Sequence, residues 1–240
     1  GKANGTALSL PGTTGNYASC PPSSAMKNMA GDVEFEWHGT FEDWTPATVA
    51  ALAGRSNANL TPAGLQWRVA LNTSGKVLAY VTVSGPATTT YQSTVPVPGV
   101  SGEPLGIKWT FDATNGSNSV STFYTSTDNG LTWDQLGSTD TDTPKVMATG
   151  GDAVLEIGSR NAGASNLVSH EVSRIVVRDG IDGTVVANPD FTHAPVGVDS
   201  AGNAWEIHGS EASYVFAPPS SFHGYAKLDG SNQPFTGDVQ

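Results

Sequence analysis

"GDVEFEWHG", residues 31–39, alternates strictly: Val33, Phe35 and Trp37 fall on one register and Asp32, Glu34 and Glu36 on the other. A period of two belongs to an extended strand, whose successive side chains point to opposite faces, and does not fit a helix of 3.6 residues per turn. The stretch therefore reads as a strand with one apolar face and one acidic face. Two uses of the acidic face stand open. Alternate carboxylates on a concave sheet can serve a sugar-cleaving enzyme, and the same acids on an outward sheet are a wet surface.

Runs of the same kind recur along the chain. "LQWRVAL" (65–71), "KVLAYVTV" (76–83), "LGIKWTFD" (105–112), "SVSTFYTS" (119–126) and "HEVSRIVVRD" (170–179) are short, apolar or alternating, and bounded by Gly, Pro, Asn and Asp. About a dozen such segments without strand–helix alternation predict an all-β protein built as a two-sheet antiparallel sandwich. The best helical stretch is "TPATVAALAG" (45–54), where Pro46 suits a first turn and Gly54 a C-terminal stop. The 240 residues fit one large β domain. Residues 1–217 are read as that domain. Residues 218–240, with scattered aromatics and no alternation, are read as a C-terminal tail that docks on its own domain or a neighbour, or as a frayed end.

The bulk chemistry narrows the partners. With 22 acidic and 11 basic residues the formal charge is −11. A field of that sign repels phosphate backbones and anionic lipid, so neither nucleic acid nor a membrane surface is expected as a partner. No apolar run approaches the roughly 18 residues of a membrane helix. One cysteine, Cys20, leaves no intrachain disulfide framework. The five histidines show no ligand spacing, and no nucleophile constellation assembles around Cys20.

"STDNGLTWDQLG" (126–137) matches the Asp-box pattern at Ser126, Asp128, Gly130, Thr132 and Trp133. Its physics is local: Asp128 accepts backbone N–H groups across a tight turn, Gly130 supplies a positive φ, and Trp133 packs beneath the hairpin. A hairpin staple is expected here rather than a catalytic acid.

Two longer stretches carry a family likeness. "ALSLPGTTGNYASCPPSSAMKNMAGDVEFEWHGTF" (7–41) resembles the opening of laminin G-like domains, which have the concanavalin A-type jelly roll. "LEIGSRNAGASNLVSHEVSRIVVRDGIDGTVV" (155–186) is similar to their closing element, with Val172, Ile175 and Val177 supplying apolar content of the long strand. "RDGIDGTVVANPDF" (178–191) and "AWEIHGSEASYV" (204–215) resemble such modules in minor tail proteins of phages that infect actinobacteria. The resemblance implies a non-catalytic virion module, displayed on an extracellular particle as a homo-oligomer. Its partners would be other virion proteins and host cell-surface polysaccharide. A decoration protein with no ligand, and a glucanase on the same fold, are the alternatives.

Within that frame the acidic strand argues against the glucanase. Retaining glucanases of this fold carry Glu-x-Asp-x-Glu, whereas Asp32, Glu34 and Glu36 give Asp-x-Glu-x-Glu, with the short carboxylate where the nucleophile belongs. The acids are expected on a solvated face. If the domain binds sugar, Trp44 in "FEDWTP" and Tyr91 in "TTTYQS" are the exposed aromatic candidates, with Arg160 and Asn161 where the family's variable loop opens. Trp67, Trp109 and Trp133 are expected in the core. Laminin G-like domains often hold Ca²⁺ at the sandwich rim, and Asp112 with Asn115, or Asp140 with Asp142, are the loop candidates for it. Each pair is equally an ordinary turn.

Overall fold

A computed structural model describes residues 7–57, 65–83, 87–193 and 197–215. The proposed tail, residues 218–240, lies outside the described residues. In chain order the elements are β1 (Ala7–Leu10), β2 (Tyr17–Cys20), a short helix α1 (Ser24–Asn28), β3 (Val33–Thr40), β4 (Ala50–Ser56), β5 (Leu65–Leu71), β6 (Val77–Thr82) and β7 (Thr88–Gln92). There follow β8 (Pro104–Asn115), β9 (Asn118–Ser126), β10 (Asp134–Gln135), β11 (Asp140–Asp142), β12 (Leu155–Ile157), β13 (His170–Asp179), β14 (Thr184–Ala187), β15 (Glu206–His208) and β16 (Ser213–Val215).

The described strands form two antiparallel sheets. One has nine strands, ordered β10-β9-β8-β3-β13-β1-β16, with β11 also paired to β9 and β14 to β13. The other has seven, ordered β15-β2-β12-β4-β5-β6-β7. The fold is a jelly-roll β-sandwich. Strands from both ends of the chain meet in each sheet, so neither sheet closes until β12 and β13 are in place.

The apolar register of β3 supplies the core as its alternation predicts. Val33, Phe35 and Trp37 are fully buried, and Phe35 meets Trp67 of the opposite sheet at 5.6 Å between ring centres. Trp67 in turn meets Trp109 of β8 at 6.1 Å, so one ring relay spans the two layers. Buried aromatic tips need partners. Trp109 Nε1 donates to Ser121 Oγ at 2.7 Å.

Two strands depart from simple alternation. In β13, Val172, Ile175 and Val177 are all fully buried although Val172 and Ile175 are three residues apart. The register against β3 shifts between Val172 and Arg174, and that extra residue returns Ile175 to the core face. The expected helix over 45–54 does not form: residues 50–56 are β4, a central strand between β12 and β5. The small side chains of "AALAG" fit a position crowded on both edges. A Cβ on Gly54 would stand only 2.6 Å from the Arg68 backbone.

Within β4, Arg55 is fully buried and has no carboxylate partner among the described residues. It donates to the carbonyls of Ala153 (3.1 Å), Met26 (2.6 Å) and Gly151 and to Gln66 Oε1 (2.5 Å), tying α1 and the segment before β12 to the seven-stranded sheet. Burial lowers its pKa to about 10.

Candidate functional site

The acidic face of β3 is not solvated, contrary to the sequence expectation. Glu34 is 2% exposed and Glu36 9%. Basic side chains on the neighbouring strands cover them, because β13 sets Arg178 opposite Glu34 and β8 sets Lys108 opposite Glu36. Arg178 Nε donates to Glu34 Oε1 at 3.2 Å and the Asp182 amide donates to Oε2 at 3.2 Å. Arg174 lies 3.9 Å from Glu36, and its Nη2 stands 3.0 Å from His38 Nε2, which is itself 3.5 Å from Glu36 Oε2.

The two carboxyls are pushed apart. Burial raises the Glu34 pKa. Burial also pushes Glu36 upward, but the contact with His38 and the charges of His38, Lys108 and Arg174 outweigh it and hold Glu36 below the ordinary value. Such a split pair is a familiar catalytic signature. Here both oxygens of Glu34 are already occupied, and neither acid lines either of the two surface grooves described below. The arrangement is an ion-paired sheet surface.

The Asp-box closes over one end of this face. Asp128 accepts from the Thr132 amide (2.9 Å), Thr132 Oγ1 (2.5 Å) and Ser126 Oγ (2.7 Å), and Gly130 takes φ of 82°. Those hydrogen bonds, led by the Thr132 hydroxyl, lower the Asp128 pKa to about 2. Trp133 is not in the core as expected; it is half-buried on the outer face, over the Lys108 ammonium at 4.7 Å and against His38.

A different site emerges on the outer face of the seven-stranded sheet. Register there aligns one transverse row, Glu156–Gly54–Arg68–Tyr80–Thr90, across β12, β4, β5, β6 and β7. Inward neighbours such as Trp67, Val69 and Ala79 are buried in the core, so strand alternation turns this row outward. Gly54 adds no side chain, which opens the row beside Arg68. The result is a groove of about 270 Å³ walled by Arg68, Tyr80, Thr82, Thr88, Thr90 and Arg160.

Each wall is built. The Arg68 guanidinium carbon sits over the Tyr80 ring at 4.0 Å from its centre, and its Nη1 donates to Asn166 Oδ1 at 2.8 Å. Arg160 arrives on the loop after β12. Glu156, fully buried, accepts from Ser159 Oγ (2.7 Å) and the Ala162 amide (2.9 Å), and Arg160 and Ser165 bridge through their backbones. Gly158, Asn161, Ala162, Gly163 and Asn166 all take positive φ, which bends the loop back on the sheet. The carboxylate of Glu156 is thus spent on its own loop.

The groove is electrostatically unbalanced. Among the described residues no carboxylate lies within ion-pair distance of Arg68 or Arg160, and the Nε of each is buried without a hydrogen-bond partner. A buried donor left unmet costs about 1–3 kcal/mol. Burial and the nearby charge of Arg160 depress the Arg68 pKa.

Of the binding candidates singled out in the sequence, only Arg160 lines this groove, although Trp67, expected in the core, reaches its floor as well. Asn161 turns into its own loop, donating to Ser165 Oγ at 3.2 Å. Trp44 and Tyr91 are not exposed platforms. Trp44 packs on Phe41 and Trp37 and donates Nε1 to the Val100 carbonyl at 3.0 Å. Tyr91 is an inward residue of β7, its hydroxyl 2.8 Å from Ser119 Oγ. A second groove of about 330 Å³ runs between Glu42–Thr48 and Leu167–Ser169, and neither ring lines it.

The loop pairs do not fit a Ca²⁺ cage of six to eight oxygens. Asp112 accepts from the Thr114 amide beside the β8–β9 hairpin that holds Asn115, and Asp140 accepts from the Gln92 amide. Asp142 accepts from the Thr143 amide and already has a cation beside it, Lys145 at 3.1 Å. The described residues contain no cluster of three His, Cys, Asp or Glu side chains able to hold a metal ion.

No family model and no curated protein matches the sequence. Solved structures do resemble the fold. The CBM40 module of Ruminococcus gnavus IT-sialidase, bound to α2,3-sialyllactose, aligns over 73% of this chain and 92% of its own, with a TM-score of 0.50 at 11% identity. A heptameric SAP-like pentraxin from Limulus polyphemus aligns over 74% and 77%, with a TM-score of 0.48 at 13% identity. Domains LG4-5 of the mouse laminin α1 chain align over 85% and 47%, with a TM-score of 0.48 at 15% identity. The chain therefore has its β-sandwich fold in common with the CBM40 module.

Proposed function

We propose that this domain is a non-catalytic glycan-binding module and that the groove on the seven-stranded sheet is its binding site. The observation that carries the reading is the row Arg68–Tyr80–Thr90 with Arg160 above it. Five hydroxyl-bearing side chains (Ser56, Tyr80, Thr82, Thr88 and Thr90) and two guanidiniums line an open groove that no described side chain fills. Sugar recognition needs such fixed polar groups beside a ring surface. The CBM40 likeness lends its architecture to this reading and not its ligand.

From the sequence resemblance to phage tail modules we read the domain as a homo-oligomeric minor tail component of a virion, which would contact other virion proteins and host cell-surface polysaccharide. The 1–217 domain carries the groove in this reading, and 218–240 serves for docking within the particle. Ion pairing of Glu34 and Glu36 favours a module without hydrolytic activity over a glucanase.

Incubating the purified chain with actinobacterial cell-wall polysaccharide, with and without Ca²⁺, and following both binding and sugar release tests this. Retention on the polysaccharide without released sugar is expected. Release of reducing ends that stops in Glu34→Gln or Glu36→Gln would establish the glucanase instead. No retention in either buffer would leave the decoration-protein reading.

A further inference from the structure

We infer that the groove takes a glycan carrying an anionic group, a sugar carboxylate or a phosphate, which Arg68 and Arg160 grip together. The inference deepens the glycan-binding reading of this groove and rests on it.

Three observations point the same way. First, the protein has twice as many acidic as basic residues, yet two of its few arginines line one groove without an acid beside them. Elsewhere in the described structure Arg174 and Arg178 lie beside Glu36 and Glu34, and Arg55, which also lacks an acid, gives its donors to backbone carbonyls and Gln66 instead. Second, Arg68 is 7% exposed and still has a donor unmet, and the Nε of Arg160 is unmet as well. Like charges brought together with free donors repel one another until an anion is placed between them. A planar carboxylate or a phosphate suits guanidinium geometry, since it can take two N–H groups at once.

Third, the scaffold holds the arrangement against that repulsion. Arg68 is clamped by Tyr80 below and Asn166 beside, and Asn166 Nδ2 is itself tied to the Val49 carbonyl. The Arg160 loop is fixed by Glu156. The cost of assembling the two cations is met by folding rather than by the ligand, which is how a preorganised site gains affinity. Thr90 lines the groove beside the hydrogen-bonded pair Thr82–Thr88 (3.2 Å between hydroxyls), polar groups that face the neutral part of the sugar.

The test titrates the full chain, followed by ¹H–¹⁵N NMR, with alginate oligosaccharides (carboxylate arm), phosphorylated dextran oligosaccharides (phosphate arm), dextran oligosaccharides (neutral arm) and inorganic phosphate. Arg160→Gln is the principal variant, because its guanidinium has no described partner to lose and, with the repulsion on Arg68 relieved, a thermal midpoint at or above the parent's is expected. Arg68→Gln is the second. At least one acidic arm is expected to bind tenfold or more tighter than dextran, with Arg160→Gln weakening it at least tenfold; which arm responds identifies the anion. Dextran binding that neither variant alters would overturn the anion inference while the glycan reading stands. Response to inorganic phosphate alone, lost in Arg160→Gln, would uphold an anion site and overturn the glycan reading. Silence in every arm would overturn both.

Discussion

His170 shows how one residue can couple this sandwich to pH. Its ring stacks on Phe41 at 4.9 Å, and Nδ1 donates to the Val168 carbonyl at 2.8 Å, while Nε2 is buried with no partner. A second proton would place an unmet charge at Nε2. Burial therefore lowers the His170 pKa from 6.5 to about 4. Between those values the unfolded chain binds more protons than the folded one, so stability falls as pH drops through the window. From pH 7 to pH 4.5 the His170 contribution is about 2 kcal/mol. In His170→Phe, urea unfolding across that range should lose about 2 kcal/mol less than the parent. An identical slope would mean that His170 titrates normally in the fold. His38, depressed in the same direction by burial, stays in both proteins and cancels.

Strands and loops differ in how far the sequence reveals them. β3 and β13 were legible because one face of each is apolar, and alternation survives even the bulge in β13 once Val172 and Ile175 are seen as a pair. β4 was not, since "AALAG" matches helical spacing and only its neighbours β12 and β5 make it a strand. The same limit hid the groove. Arg68 within "LQWRVAL" looks like any outward polar residue, and its meeting with Tyr80 and Arg160 depends on register across four strands. Arg160 could be found because the family resemblance sets a variable loop after Ile157–Gly158; Trp44 and Tyr91 misled because loop-like composition does not report burial. The element that carries Arg160 also makes a prediction. Glu156 holds the loop through charged hydrogen bonds in a buried setting, each worth about 1.5–3 kcal/mol. Glu156→Gln turns an amide NH₂ toward backbone donors and should cost on the order of 2 kcal/mol in thermal or urea unfolding. It should also weaken acidic-glycan binding although the residue touches no ligand. Undiminished binding at reduced stability would show that the loop holds Arg160 without Glu156.

At the scale of the whole molecule, the charge of −11 and the two groove arginines act over different distances. The net field reaches as far as the Debye length, about 30 Å at 0.01 M salt and about 8 Å at 0.15 M. The guanidinium contacts act at hydrogen-bond range in a partly buried site, where salt screens them far less. An acidic oligosaccharide is thus repelled during approach and attracted only on arrival. Raising the salt from 0.01 to 0.15 M should increase its association rate several-fold, on the order of 3- to 10-fold by electrostatic steering run in reverse. The dissociation rate should change little. Immobilised glycan and flowing protein separate the two rates directly. A neutral oligosaccharide should show no salt dependence in either rate. An association rate that falls with salt would mean that the arginine pair projects a positive field beyond the groove and outweighs the acidic surface around it.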